Sequence, residues 1–114
     1  MIDVTAGGSN AASSCGIGNV GYFPSEPQLV FEWFGNEGPL FIDTAGLNGT
    51  DTVIYVQAPN GVTHFNDDYM QGNLNAAIEL TGPRAPAGLY RVWVGSYSPT
   101  QGSAQLMVRP RITR

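Results

Sequence analysis

Apolar positions in this chain fall in short runs bounded by Gly, Pro, Asn or Asp, and inside several runs they alternate with polar positions. Alternation at period two marks strands with one face toward a core, whereas a surface helix repeats its apolar positions every three to four residues. The pattern predicts one short strand opening at Ile2, then strands over 28–34, 39–43, 51–57, 76–80, 89–97 and 103–108. The small-residue stretch from Ala6 to Ser14 reads as a strand-to-loop crossing. Turn chemistry separates the runs at Gly35-Asn36-Glu37-Gly38, Leu47-Asn48-Gly49-Thr50, Pro59-Asn60-Gly61 and Ser98-Pro99-Thr100-Gln101-Gly102. Residues 66–75 read as a polar loop, and 82–88 as a rigid one, because Pro83 and Pro86 forbid a central strand there. About eight strands joined by turns read as an all-β chain: a single antiparallel β-sandwich over 1–114.

The same alternation assigns faces. Leu29, Phe31 and Trp33 point inward and Glu32 outward on the first long strand. Ile54 and Val56 point inward on the next, leaving Val53, Tyr55 and Gln57 outside. Tyr90, Val92 and Val94 point inward, leaving Leu89, Arg91 and Trp93 outside. Ala104, Leu106 and Val108 point inward, leaving Gln105 and Met107 outside. If these strands are neighbours, Trp93, Tyr55, Val53, Leu89 and Met107 form one apolar patch with Arg91 beside it. Patches of Trp, Tyr, Met and Arg are typical of partner surfaces. The competing reading is that a loop or the N-terminal segment covers the patch.

Composition narrows the function classes. Hydrophobic residues are 42% of the 114, enough to build a core, and charged residues are only 12%. The five cations are all arginines (Arg84, Arg91, Arg109, Arg111 and Arg114), and the net charge is −4. With no basic stripe outside the last six residues, nucleic acid is not an expected partner. No run approaches a membrane span, and no signal peptide opens the chain, so no membrane partner is expected. Met1 directly before Ile2-Asp3-Val4 reads as a start codon added to a trimmed module. Cys15 has no second cysteine to bridge to, and a buried thiol and a cross-chain disulfide both stay open.

Several stretches resemble one family. These are Val4-Thr5-Ala6-Gly7-Gly8-Ser9, Asp51-Thr52 leading to Pro59-Asn60-Gly61, Asn66-Asp67-Asp68 with Gly72-Asn73-Leu74-Asn75, and Gly88-Leu89-Tyr90-Arg91-Val92-Trp93-Val94-Gly95-Ser96-Tyr97. Their order and spacing resemble the bacterial pre-peptidase C-terminal-type β-sandwich modules over nearly the whole chain. The resemblance implies a jelly-roll-like fold, export to the extracellular space or cell surface, and an accessory role without a reaction. Some relatives bind calcium and some bind extracellular polymers. Two positions depart from the family pattern: Phe65 stands where similar sequences carry a cysteine, and Gln28 where they carry an acid.

Asn66, Asp67, Asp68 and Asn75 offer hard oxygen ligands within one loop, the ligand type calcium takes. Asp and Asn also cap turns by bonding nearby amides, so structural calcium and metal-free capping both stay open. His64 is the only histidine and reads as a strand-end polar residue. Glu32 and Glu79 fall at outward positions and do not read as a glycosidase pair. No nucleophile-elbow or phosphate-loop pattern occurs, so an enzyme is not expected. The expectation is a secreted, non-catalytic module that binds an extracellular polymer or protein surface, with a homo-oligomeric structural subunit as the alternative.

Overall fold

The computed structural model describes residues 2–11, 21–33, 40–47, 50–66, 76–80, 86–97 and 101–110, the last two by backbone alone. Ten strands run through them: β1 (Ile2–Ala6), β2 (Asn10–Ala11), β3 (Tyr22–Phe23), β4 (Leu29–Trp33), β5 (Leu40–Gly46), β6 (Thr52–Gln57), β7 (Thr63–Asn66), β8 (Ala77–Leu80), β9 (Gly88–Ser96) and β10 (Gly102–Pro110). No described residue is helical. All the pairings are antiparallel. One sheet is four-stranded, in the order β1-β10-β5-β8. The other is six-stranded, in the order β2-β3-β9-β6-β7, with β4 also on β9.

Setting aside the two-residue strands β2 and β3, the remaining eight pair first with last, second with seventh, third with sixth and fourth with fifth. That nesting is a jelly roll, one long hairpin rolled into two layers. Each sheet contributes one inward face. Leu40, Ile42, Leu80, Ala104 and Leu106 from one meet Ile54, Val56, Tyr90, Val92 and Val94 from the other, all of them essentially without solvent contact. The inward assignments made from alternation therefore hold on β4, β6, β9 and β10.

Polar bonds join the sheets at three places. Thr44 on β5 and Thr52 on β6 face each other inside the core with their Oγ1 atoms 2.6 Å apart. Thr44 Oγ1 donates to Ala76 O at 2.7 Å, and Ala76 N–H donates to Thr52 Oγ1 at 3.0 Å. The Thr52 hydroxyl then donates to Thr44 Oγ1, and the ring closes with each polar atom satisfied. On one side of the sandwich, the Gln28 amide reaches Thr5 O on β1 at 3.0 Å and brackets Val94 on β9, donating to its O and accepting from its N–H at 2.8 Å each. On the other side, Asn66 Oδ1 accepts the Ala77 N–H at 3.1 Å, tying β7 to β8.

Four details differ from the sequence pattern. β5 runs on to Gly46, because Thr44 lies opposite Leu106 with its hydroxyl held inside the core. β7 is a strand where no alternation marked one, formed as the second arm of the β6 hairpin. β2 and β3 are two residues each, too short to leave a period. β10 belongs to the four-stranded sheet and β6 and β9 to the other, so Met107 is outward on the opposite side of the molecule from Trp93.

Candidate binding face

The outward face of the six-stranded sheet is set by its register. β6 and β7 form a hairpin whose turn closes with Ala58 N–H on Val62 O at 2.9 Å and Gly61 N–H on Ala58 O at 3.0 Å. That closure puts Tyr55 opposite Phe65 and Gln57 opposite Thr63. β9 lies on the far side of β6, with Trp93 opposite Tyr55 and Arg91 opposite Gln57. Two rows therefore cross the strands side by side: an aromatic row Phe65–Tyr55–Trp93 and a polar row Thr63–Gln57–Arg91. Cross-strand neighbours in such rows touch directly. The Tyr55 and Trp93 ring centroids are 5.3 Å apart, with their planes inclined at 51°. Beyond Arg91, β4 adds Val30 opposite it and Glu32 opposite Leu89. Val30 and Leu89 are each about half exposed (48% and 49%), leaving apolar surface at this end of the face.

The other end of the aromatic row is covered by the chain itself. Phe23 on β3 packs edge-on to Tyr55 and tilted against Phe65, both at 6.4 Å between centroids, and it buries Val53 completely. Gly95 permits this cover, since a Cβ there would stand 2.8 Å from the Phe23 ring and 2.6 Å from Tyr22 O. Val53 is thus outward in direction but not available, which corrects its place in the expected patch. The two readings of the patch divide across the face: Phe23 covers Val53 and packs with partly buried Tyr55, Phe65 and Trp93, while Arg91 and Leu89 are exposed. Met107 lies on the other sheet and is no part of it.

Phe65 is the residue missed from this face. A hairpin centred on Asn60 pairs it with Tyr55, and the Pro59-Asn60-Gly61 turn carried that signal. Its ring packs on Phe23. Cys15 lies outside the described residues.

Of the expected calcium ligands, Asn66 is the last residue of β7 and its Oδ1 accepts a backbone N–H from β8, the capping use of asparagine. Asp67, Asp68 and Asn75 lie outside the described residues. Among the described residues no group of three His, Cys, Asp or Glu side chains is gathered to hold a metal ion. Gln28 is committed to backbone and has no carboxylate to offer. Glu32 and Glu79 stand on the outward faces of different sheets. His64 lies on β7 opposite Val56, beside a shallow cleft shared with Asn66 and Glu79 between the two sheet edges. No helix among the described residues is long and apolar enough to cross a membrane. Comparison with protein-family models and with curated proteins found no match.

Proposed function

We propose that this chain is a secreted, non-catalytic accessory module that holds an extended extracellular polysaccharide across the strands of its six-stranded sheet. The observation that carries the reading is the pair of parallel rows, aromatic Phe65–Tyr55–Trp93 and polar Thr63–Gln57–Arg91. A pyranose ring has a C–H face that packs on an aromatic ring and a rim of hydroxyls that needs donors and acceptors. Adjacent strands are about 4.8 Å apart, so Phe65 and Trp93 are about 10 Å apart, and alternate residues set the polar row about 7 Å away along the strand. A sugar chain lying along the aromatic row then has an amide, a hydroxyl and a guanidinium within reach of its rim. Leu89 and Val30 extend the contact beyond Arg91. A structural calcium ion in the 66–75 loop belongs to the same proposal, through Asp67, Asp68 and Asn75. It would neutralise Asp67 and Asp68 and perform no chemistry.

The test is retention of the purified chain on insoluble polysaccharides, compared with its Trp93→Ala and Arg91→Ala variants. Retention of the parent, lost in a Trp93→Ala variant that still melts cooperatively above the assay temperature, is the expected result. Equal retention of parent and variants, or hydrolysis of a polysaccharide by the pure chain, would overturn it. Self-association is the second reading, favoured by the exposed Val30 on β4, a strand that bonds only β9 among the described strands. A concentration-dependent mass in light scattering, abolished by a charge at position 30, would establish that reading instead.

A further inference from the structure

The turn joining β6 to β7 sets Asn60 before Gly61 at the surface, both exposed. Asn60 Oδ1 accepts the Val62 N–H at 3.1 Å. Gly61 has φ of +85°, and a Cβ built there would meet nothing within 4 Å. We infer that Asn60 is a site of spontaneous deamidation, in which the folded turn itself activates the side-chain amide toward the Gly61 nitrogen.

The step uses only water as co-reactant. The Gly61 backbone nitrogen attacks Asn60 Cγ and gives up its proton to solvent, and the C=O electron pair moves onto Oδ1. The Val62 N–H already points at that oxygen and stabilises the charge that develops there, as an oxyanion donor does. The Cγ–Nδ2 bond then breaks and ammonia leaves, closing a five-membered imide. Water adds to either imide carbonyl and opens the ring to aspartate or isoaspartate. In sum, one amide and one water become one carboxylic acid and one ammonia, with no change of oxidation state. Nucleophile and electrophile are adjacent in one residue pair, so no entropy of encounter is involved. The absence of a Cβ at Gly61 leaves the line of attack open. The opposing contact is the Gly61 N–H bond to Ala58 O at 3.0 Å, which must open first.

The product adds a carboxylate to the turn, and isoaspartate also adds a methylene to its backbone. The hairpin that aligns Phe65 with Tyr55 starts from this turn, and Pro59 abuts Gly88 at the start of β9. The consequence is local loosening of β7 with age.

The full chain, incubated at mildly alkaline pH in native buffer and in urea, is digested and the Asn60 peptide followed by mass spectrometry, with isoaspartyl methyltransferase labelling to identify isoaspartate. The expected result is conversion at Asn60 at least as fast in the folded chain as in urea, with a single-charge acidic shift of the intact protein. Val62→Pro, which removes the donor N–H, should slow the folded rate below that of the parent. Conversion slower in the folded chain than in urea would overturn the inference. So would an Asn60 that keeps its amide while Asn48, also followed by glycine, loses it.

Discussion

Gln28 spends both amide hydrogens and its carbonyl oxygen on backbone groups of two different sheets. A glutamate there would turn a carboxylate oxygen toward Thr5 O and Val94 O, two acceptors that an anion cannot satisfy. Gln28→Glu is expected to lower the unfolding free energy by about 1–3 kcal/mol at neutral pH. The neutral acid can donate one bond, so the folded state raises the acid's pKa above its unfolded value of about 4.3. The part of stability tied to that proton is present below the unfolded pKa and lost as pH rises through the folded one. Urea melts should show the deficit narrowing in acid; a deficit constant with pH, or none, would contradict this role. Tyr90 is the second such residue. Its hydroxyl donates to Pro86 O at 2.6 Å, and its ring lies flat on Phe31 at 5.2 Å between centroids. Burial raises its pKa above the ordinary 10.0. Its contribution is complete below that value and lost as the pH climbs through the raised pKa. Tyr90→Phe should cost about 0.5–1.5 kcal/mol near neutrality and remove part of the alkaline loss, read from melting curves against pH. A variant with the parent's alkaline slope would show that Tyr90 does not drive it. Neither bond was legible beforehand: Gln28 was marked only as a departure from a family pattern, and Tyr90 only as an inward ring. Gln28 and its partner Val94 are 66 residues apart and leave no local period, and the Tyr90 bond to Pro86, four residues before it, falls outside the period-two alternation.

Among the elements, the long strands β6, β9 and β10 were legible because apolar residues alternate along the face each turns to the core. A one-residue slip would put Tyr90, Val92 and Val94 into water. β7 was not, since Thr63-His64-Phe65-Asn66 has no fully buried residue. Its pairing comes from the turn before it. β7 and β8 are joined by the Asn66–Ala77 bond, and the acidic residues of the proposed calcium loop lie between them in sequence. Calcium is expected to raise the melting temperature and a chelator to reverse the rise, with Asn66→Ala lowering the melting temperature in either condition. A melting curve indifferent to both additions would leave Asn66 as a backbone cap and remove the metal.

At the scale of the molecule, alternation gave two layers but not which strand joins which. β10 is next to β9 in sequence, yet the jelly roll sends it to the opposite sheet between β1 and β5. That single placement separates Met107 from Trp93. The proposed binding face shrinks to Trp93, Tyr55, Arg91 and Leu89, with Phe65 added and Val53 lost beneath Phe23. Long-range strand order depends on which hairpins nest, and no periodicity encodes that.

The two tryptophans supply the most direct measurement. Trp33 is buried in the core at the end of β4, while Trp93 is partly buried in the aromatic row on the outward face. A polysaccharide titrated into 15N-labelled protein should move the Trp93 indole N–H resonance and the amides of β6 and β9 around it, leaving the Trp33 indole in place. Shifts centred on Met107 and β10, or none at saturating polymer, would contradict a binding face on the six-stranded sheet.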